Sequence, residues 1–112
     1  MNVPVFDLHC DTVLGLMGRD MSKVGSLRRN NLHIDLERGK TLAGYAQCFA
    51  IFTTTAFKLP NNIKPEDIFW RAVSVLQDAI DKNSDIIRQA RSAADVLKNQ
   101  EEGKMSAIFT VE

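Results

Sequence analysis

The feature that most restricts what this chain can fold into is a long amphipathic stretch set between two apolar runs of strand length. Gly44 to Thr53 is nearly all apolar on both alternating faces, with Gln47 as the interruption. That pattern suits a strand of a parallel sheet covered by helices. From Pro65 onward, Ile68, Phe69, Ala72, Val73, Leu76, Ala79 and Ile80 recur at three- and four-residue spacing, which predicts a helix. Pro65 suits its first position, Glu66 and Asp67 suit its first turn, and the end falls near Lys82-Asn83. Met105 to Val111, MSAIFTV, is the next strand. Strands joined by long helical crossovers imply an α/β fold, a parallel sheet with helices outside.

The chain opens on another strand, residues 3 to 10, where Pro4 is tolerable only near the start. Within VFDLHCDT, strict alternation puts Asp7, His9 and Asp11 on one face with Val5, and Phe6, Leu8 and Cys10 on the other. Two carboxylates and an imidazole at the end of a buried strand are costly unless something positive sits among them. Thr12 to Met17 suits a short helical turn limited by Gly15 and Gly18, and residues 18 to 32 are polar and irregular. Asp35 reads as the N-cap of a brief helix ended by Gly39. A loop holds Pro60 and Asn61-Asn62, and a second helical stretch is expected over Ser84 to Ala90. Ser92 with Asp95 then forms a capping-box pattern that opens a third stretch ending near Gly103.

In parallel α/β folds, sites gather at the carboxyl ends of the strands. His9 and Asp11 lie at such an end. So does Glu112, on the strand face of Thr110, Ile108 and Ser106. One imidazole with two carboxylates suits zinc, manganese or iron(II) better than calcium, and a bridging carboxylate can share one metal with a second. Each residue also has an ordinary reading. A histidine near a strand end is commonly a hydrogen-bonded structural residue, a terminal glutamate is usually solvated, and Asp11 before Thr12 suits a helix cap. His33 and Asp35 repeat the two-residue spacing, with Asp35 read as a cap and His33 as structural.

Composition narrows the function classes. The chain has 112 residues, 45% of them hydrophobic, with 14 basic and 14 acidic side chains. That fits one small domain over residues 1–112 with no internal boundary. Zero net charge gives no basic footprint for nucleic acid, and Arg28-Arg29 reads as a solvated loop. No run reaches the roughly 18 apolar residues of a membrane span, and the N-terminus lacks the basic region of a signal peptide. Cys10 and Cys48, without CxxC spacing, read as reduced buried thiols, from which a cytoplasmic location follows.

VFDLHCDT, then HIDLERGKTLAGYAQCFAIFT, then GKMSAIFTVE resemble the first third of the M19 peptidases, the membrane (renal) dipeptidase family of binuclear zinc enzymes. The likeness runs through essentially the whole chain, and it includes Gln47, where family members carry a glutamine before an aromatic. It implies the N-terminal three β/α units of a distorted (β/α)8 TIM-type barrel. By the resemblance, His9 and Asp11 match the ligands of one zinc and Glu112 matches the glutamate that bridges both. Asp7 is then a carboxylate behind the ligands or a structural one. The implied reaction is hydrolysis of dipeptides by a metal-bridging water.

The departures are equally specific. A (β/α)8 barrel takes about 250 residues, and the family's two histidines for the second zinc have no counterpart here. Its proton-transfer aspartate and its substrate-binding histidine and arginine are likewise without counterparts. The expectation is therefore an N-terminal portion holding at most one weakly bound metal and inactive by itself. Self-association, or the remainder of the barrel, would cover an open face bearing Val5, Ile108, Phe49 and Ile51. One alternative is a non-catalytic α/β module that binds a partner chain through an open sheet edge. Another is a one-metal amidohydrolase-type enzyme, against which Asp11 stands where a second histidine is usual.

Overall fold

The structure, a computed structural model, describes residues 3–18, 21–53 and 62–112, the side chain of Met21 excepted. Pro60 and Asn61 of the expected loop lie outside the described residues. In chain order the elements are β1 (Val5–Cys10), α1 (Thr12–Leu16), α2 (Met21–Val24), α3 (Leu36–Gly39) and β2 (Tyr45–Ile51). They continue with α4 (Pro65–Lys82), β3 (Ile87–Gln89), α5 (Ala93–Glu101) and β4 (Met105–Val111). The strands form one parallel sheet in the order β1-β2-β4-β3. The α/β class expected from the alternation of strands and helices is the one observed.

Most elements begin and end where their residues dictate. Helix α4 starts at Pro65, Asp67 Oδ2 accepts the Lys64 N–H at 2.8 Å, and Ala72, Leu76 and Ile80 form its buried stripe. Asp35 caps α3 as expected, accepting the Arg38 N–H at 2.9 Å, and Ser92 caps α5 by accepting the Asp95 N–H at 3.1 Å. Gly39 is needed for packing, because a β-carbon there would lie 2.6 Å from Met105 Cε and 2.9 Å from Tyr45 Cδ1.

The helix expected over Ser84–Ala90 is instead a turn followed by β3. Asn83 ends α4, and its amide Nδ2 donates back to the Ala79 carbonyl at 2.7 Å. Ile87 and Gln89 then pair with Met105 and Ala107. Tertiary pairing with β4 overrides a weak local preference, and the wholly buried Ile87 is well suited to a strand.

Register assigns the two faces of the sheet. Gln47, Phe49 and Ile51 stand level with Ala107, Phe109 and Val111. Phe49, Ile51 and Ala107 share one apolar cluster with Val13, Leu36, Leu76 and Ile80, so this face packs on the helices. The opposite face carries Ala46, Cys48 and Ala50 beside Ser106, Ile108 and Thr110. Its lower end lies against α5, where the buried Asn99 donates to Ser106 Oγ at 3.0 Å. Phe49 and Ile51, expected on an open face, are therefore core residues at 0% and 1% exposure. Phe6 at 54% and Leu8 at 75% are among the apolar side chains left open, together with Trp70, Leu97 and Val111.

Gln47 is satisfied inside this core. The Tyr45 hydroxyl donates to its Oε1, and its Nε2 donates to the Cys48 carbonyl at 3.0 Å. Burial, reinforced by the nearby Asp7 charge, pushes the Tyr45 phenol up to about 12 and keeps it a donor.

Candidate metal centre

Three residues from two strand ends converge. His9 Nε2 lies 3.2 Å from Asp11 Oδ1 and 3.6 Å from Glu112 Oε1. One donor atom from each of the three falls within 4.8 Å of the others. All three side chains are half-exposed, so a cation can reach them from solvent. Two carboxylates this close repel by about 1 kcal/mol even in water, and a divalent cation among them reverses the sign. An imidazole nitrogen with two carboxylate oxygens fits zinc.

Backbone geometry brings the set together. Asp11 precedes α1 in the cap position, yet its carboxylate makes no capping hydrogen bond and turns to His9 instead. Glu112 is held through its main chain: its N–H donates to the Ile51 carbonyl at 3.1 Å, and its carbonyl accepts the Thr53 N–H at 2.9 Å and the Thr53 hydroxyl at 3.4 Å. The ladder of β2 with β4 thus runs on past the strands and leaves the Glu112 carboxylate to face His9.

Asp7 is placed differently from the expectation. It pairs with Gln47, whereas Cys10 pairs with Phe49, so β1 carries a bulge between Asp7 and Cys10. Asp7 and the buried Cys10 take the helix-packed face, while His9 turns to the side of Glu112. Strict alternation would have kept Asp7 and His9 together. The extra residue of the bulge separates them.

Asp7, His9 and Asp11 nevertheless line one cavity of about 480 Å³, with Leu32, His33 and Ile34 on its far wall. His33, read as structural, thus stands on the same cavity as His9. The repeated two-residue spacing was the only sequence signal for it. Cys10 and Cys48 are free and buried, and burial pushes both thiols up, which disfavours the thiolate a metal would need.

No protein-family model matches the chain, and no curated protein does. Among solved structures, the chain is similar to a metallopeptidase of family M19, dipeptidase AC, with a TM-score of 0.78 and 24% identity. The match takes in 100% of this chain. This chain has the fold of part of that dipeptidase. It spans 36% of the dipeptidase's length. Among the described residues, no helix is long and apolar enough to cross a membrane.

Proposed function

We propose that this chain forms the opening part of a zinc-dependent dipeptidase of the membrane dipeptidase family, whose complete form is a (β/α)8 barrel. His9 and Asp11 serve as terminal ligands of one zinc and Glu112 as the bridging carboxylate. The observation that carries the reading is the convergence of these three side chains at the ends of β1 and β4, on either side of β2, on a fold similar to part of a metallopeptidase. Bound zinc supplies a water of lowered pKa and a Lewis acid for the peptide carbonyl. The chain's own contribution is the donor set, held by the bulge of β1 and by the main-chain anchors of Glu112.

The family's second-site histidines and substrate-positioning side chains have no counterpart among these 112 residues. The chain with added zinc is therefore expected to show no turnover of simple L,L or L,D dipeptides. Chromatographic assay of product amino acids checks this. Turnover that disappears in Glu112→Gln would show that these residues assemble a complete site.

A second reading is favoured by the open edge of β1. Among the described residues that edge has no strand partner, and Phe6 and Leu8 beside it are exposed at 54% and 75%. Unpaired edges with apolar neighbours recruit other chains. On this reading the 112 residues self-associate in solution, and light scattering together with urea unfolding at two protein concentrations is the check. A monodisperse monomer with a concentration-independent transition would refute it.

A further inference from the structure

We propose that Asp7 is a positioning residue whose side chain holds the β1 bulge and thereby turns His9 toward Asp11 and Glu112. The inference deepens the zinc reading above and rests on it for its metal-binding consequence. From the Asp7–Gln47 pair to the Cys10–Phe49 pair, β1 advances three residues while β2 advances two. A regular two-residue step would instead pair His9 with Phe49, which is 0% exposed among the helices. The imidazole would then be driven into the core, on the face opposite Glu112. The bulge avoids this and returns Cys10 to the helix-packed face at 7% exposure.

A bulge leaves residues outside the ladder, and between the Asp7–Gln47 and Cys10–Phe49 pairs neither Leu8 nor His9 has a ladder partner. The His9 N–H donates instead to Asp7 Oδ1 at 3.1 Å. One carboxylate oxygen two residues back thus satisfies the backbone donor that the bulge releases. The bond ties the half-buried Asp7 to the exposed backbone of His9, whose imidazole Nε2 then sits 3.2 Å from Asp11 and 3.6 Å from Glu112. What the position needs is an acceptor oxygen at that reach. An asparagine carbonyl supplies one and alanine does not.

The test compares the parent chain with Asp7→Ala and Asp7→Asn, reading amide hydrogen exchange at His9 by NMR and cobalt(II) binding by its visible spectrum. Slow His9 exchange is expected in the parent and in Asp7→Asn, with fast exchange in Asp7→Ala. Cobalt affinity should fall by about 10- to 100-fold in Asp7→Ala, the range for residues that orient a ligand, and recover in Asp7→Asn. If Asp7→Ala does not fold, the parent and Asp7→Asn still decide it. Fast exchange at His9 in the parent, or in a folded Asp7→Asn, overturns the proposal. A protected His9 amide in a folded Asp7→Ala overturns it as well. The expected exchange pattern without cobalt binding by the parent would retain the bulge role and remove the metal reading, so the two fail separately.

Discussion

Replacing His9 with alanine is expected to weaken zinc binding by at least about 100-fold, beyond the range seen for residues that merely orient a ligand. His9 is the one nitrogen donor of the three-residue set. Without it, two half-exposed carboxylates remain, and oxygen-only pairs of that kind suit hydrated magnesium or calcium better than zinc. Glu112→Gln removes a charge but keeps an oxygen, so its loss should be smaller. Asp78→Asn on α4, exposed and distant in sequence from the set, should leave affinity unchanged. Elemental analysis after dialysis, followed by competition with a chromophoric chelator, measures all three. Equal zinc in the parent and in His9→Ala would remove His9 from the site.

The largest expected loss of stability is at Asp35, where alanine should cost about 1–3 kcal/mol. Loss of an N-cap costs about 0.5–2 kcal/mol, and the part-buried Asn30 N–H and Arg38 Nε–H, which water can partly satisfy, lose an acceptor for up to about 1 kcal/mol more. Asp35 is 3% exposed. It accepts the Arg38 N–H and Nε–H at 2.9 Å each and the Asn30 N–H at 3.3 Å. Burial pushes its carboxyl up, but these bonds and the Arg38 charge outweigh it, so the folded chain holds Asp35 below the usual carboxylate range. Its contribution is therefore complete above the unfolded value of about 3.9 and is lost as pH falls through the lower folded value. Asp35→Asn, which keeps a capping oxygen, should lose less than alanine and flatten the stability curve below about pH 4. Urea unfolding from pH 7 to pH 3 checks both variants. An Asp35→Ala midpoint equal to that of the parent would contradict this account.

Where residues carried a strong periodic or capping signal, the fold was legible. Helix α4 was, because Pro65 opens it and an apolar stripe runs its whole length. Met105–Val111 was too, as a strand-length, mostly apolar run after Gly103. Strand β3 was not, since three residues are too few to show a two-residue period and β4, not local sequence, makes them a strand. The convergence of His9, Asp11 and Glu112 followed from the rule that side chains gather at strand ends. The placement of Asp7 did not, because a bulge changes the parity of every later residue and the alternating pattern of VFDLHCDT carries no mark of it.

Strand β3 has a consequence for how this sheet can grow. It occupies the outer edge of β4 only along Met105–Ala107, and the Ala90 N–H takes the Ala107 carbonyl at 2.8 Å. Beyond Ala107 that edge has no partner among the described residues. A further strand docking there is stopped by β3 and can pair only with Ile108 to Val111, the four residues leading into Glu112. The short strand acts as a doorstop. Any new backbone seated against it arrives beside Glu112, so the seam along which this edge extends runs up to one of the three donor residues.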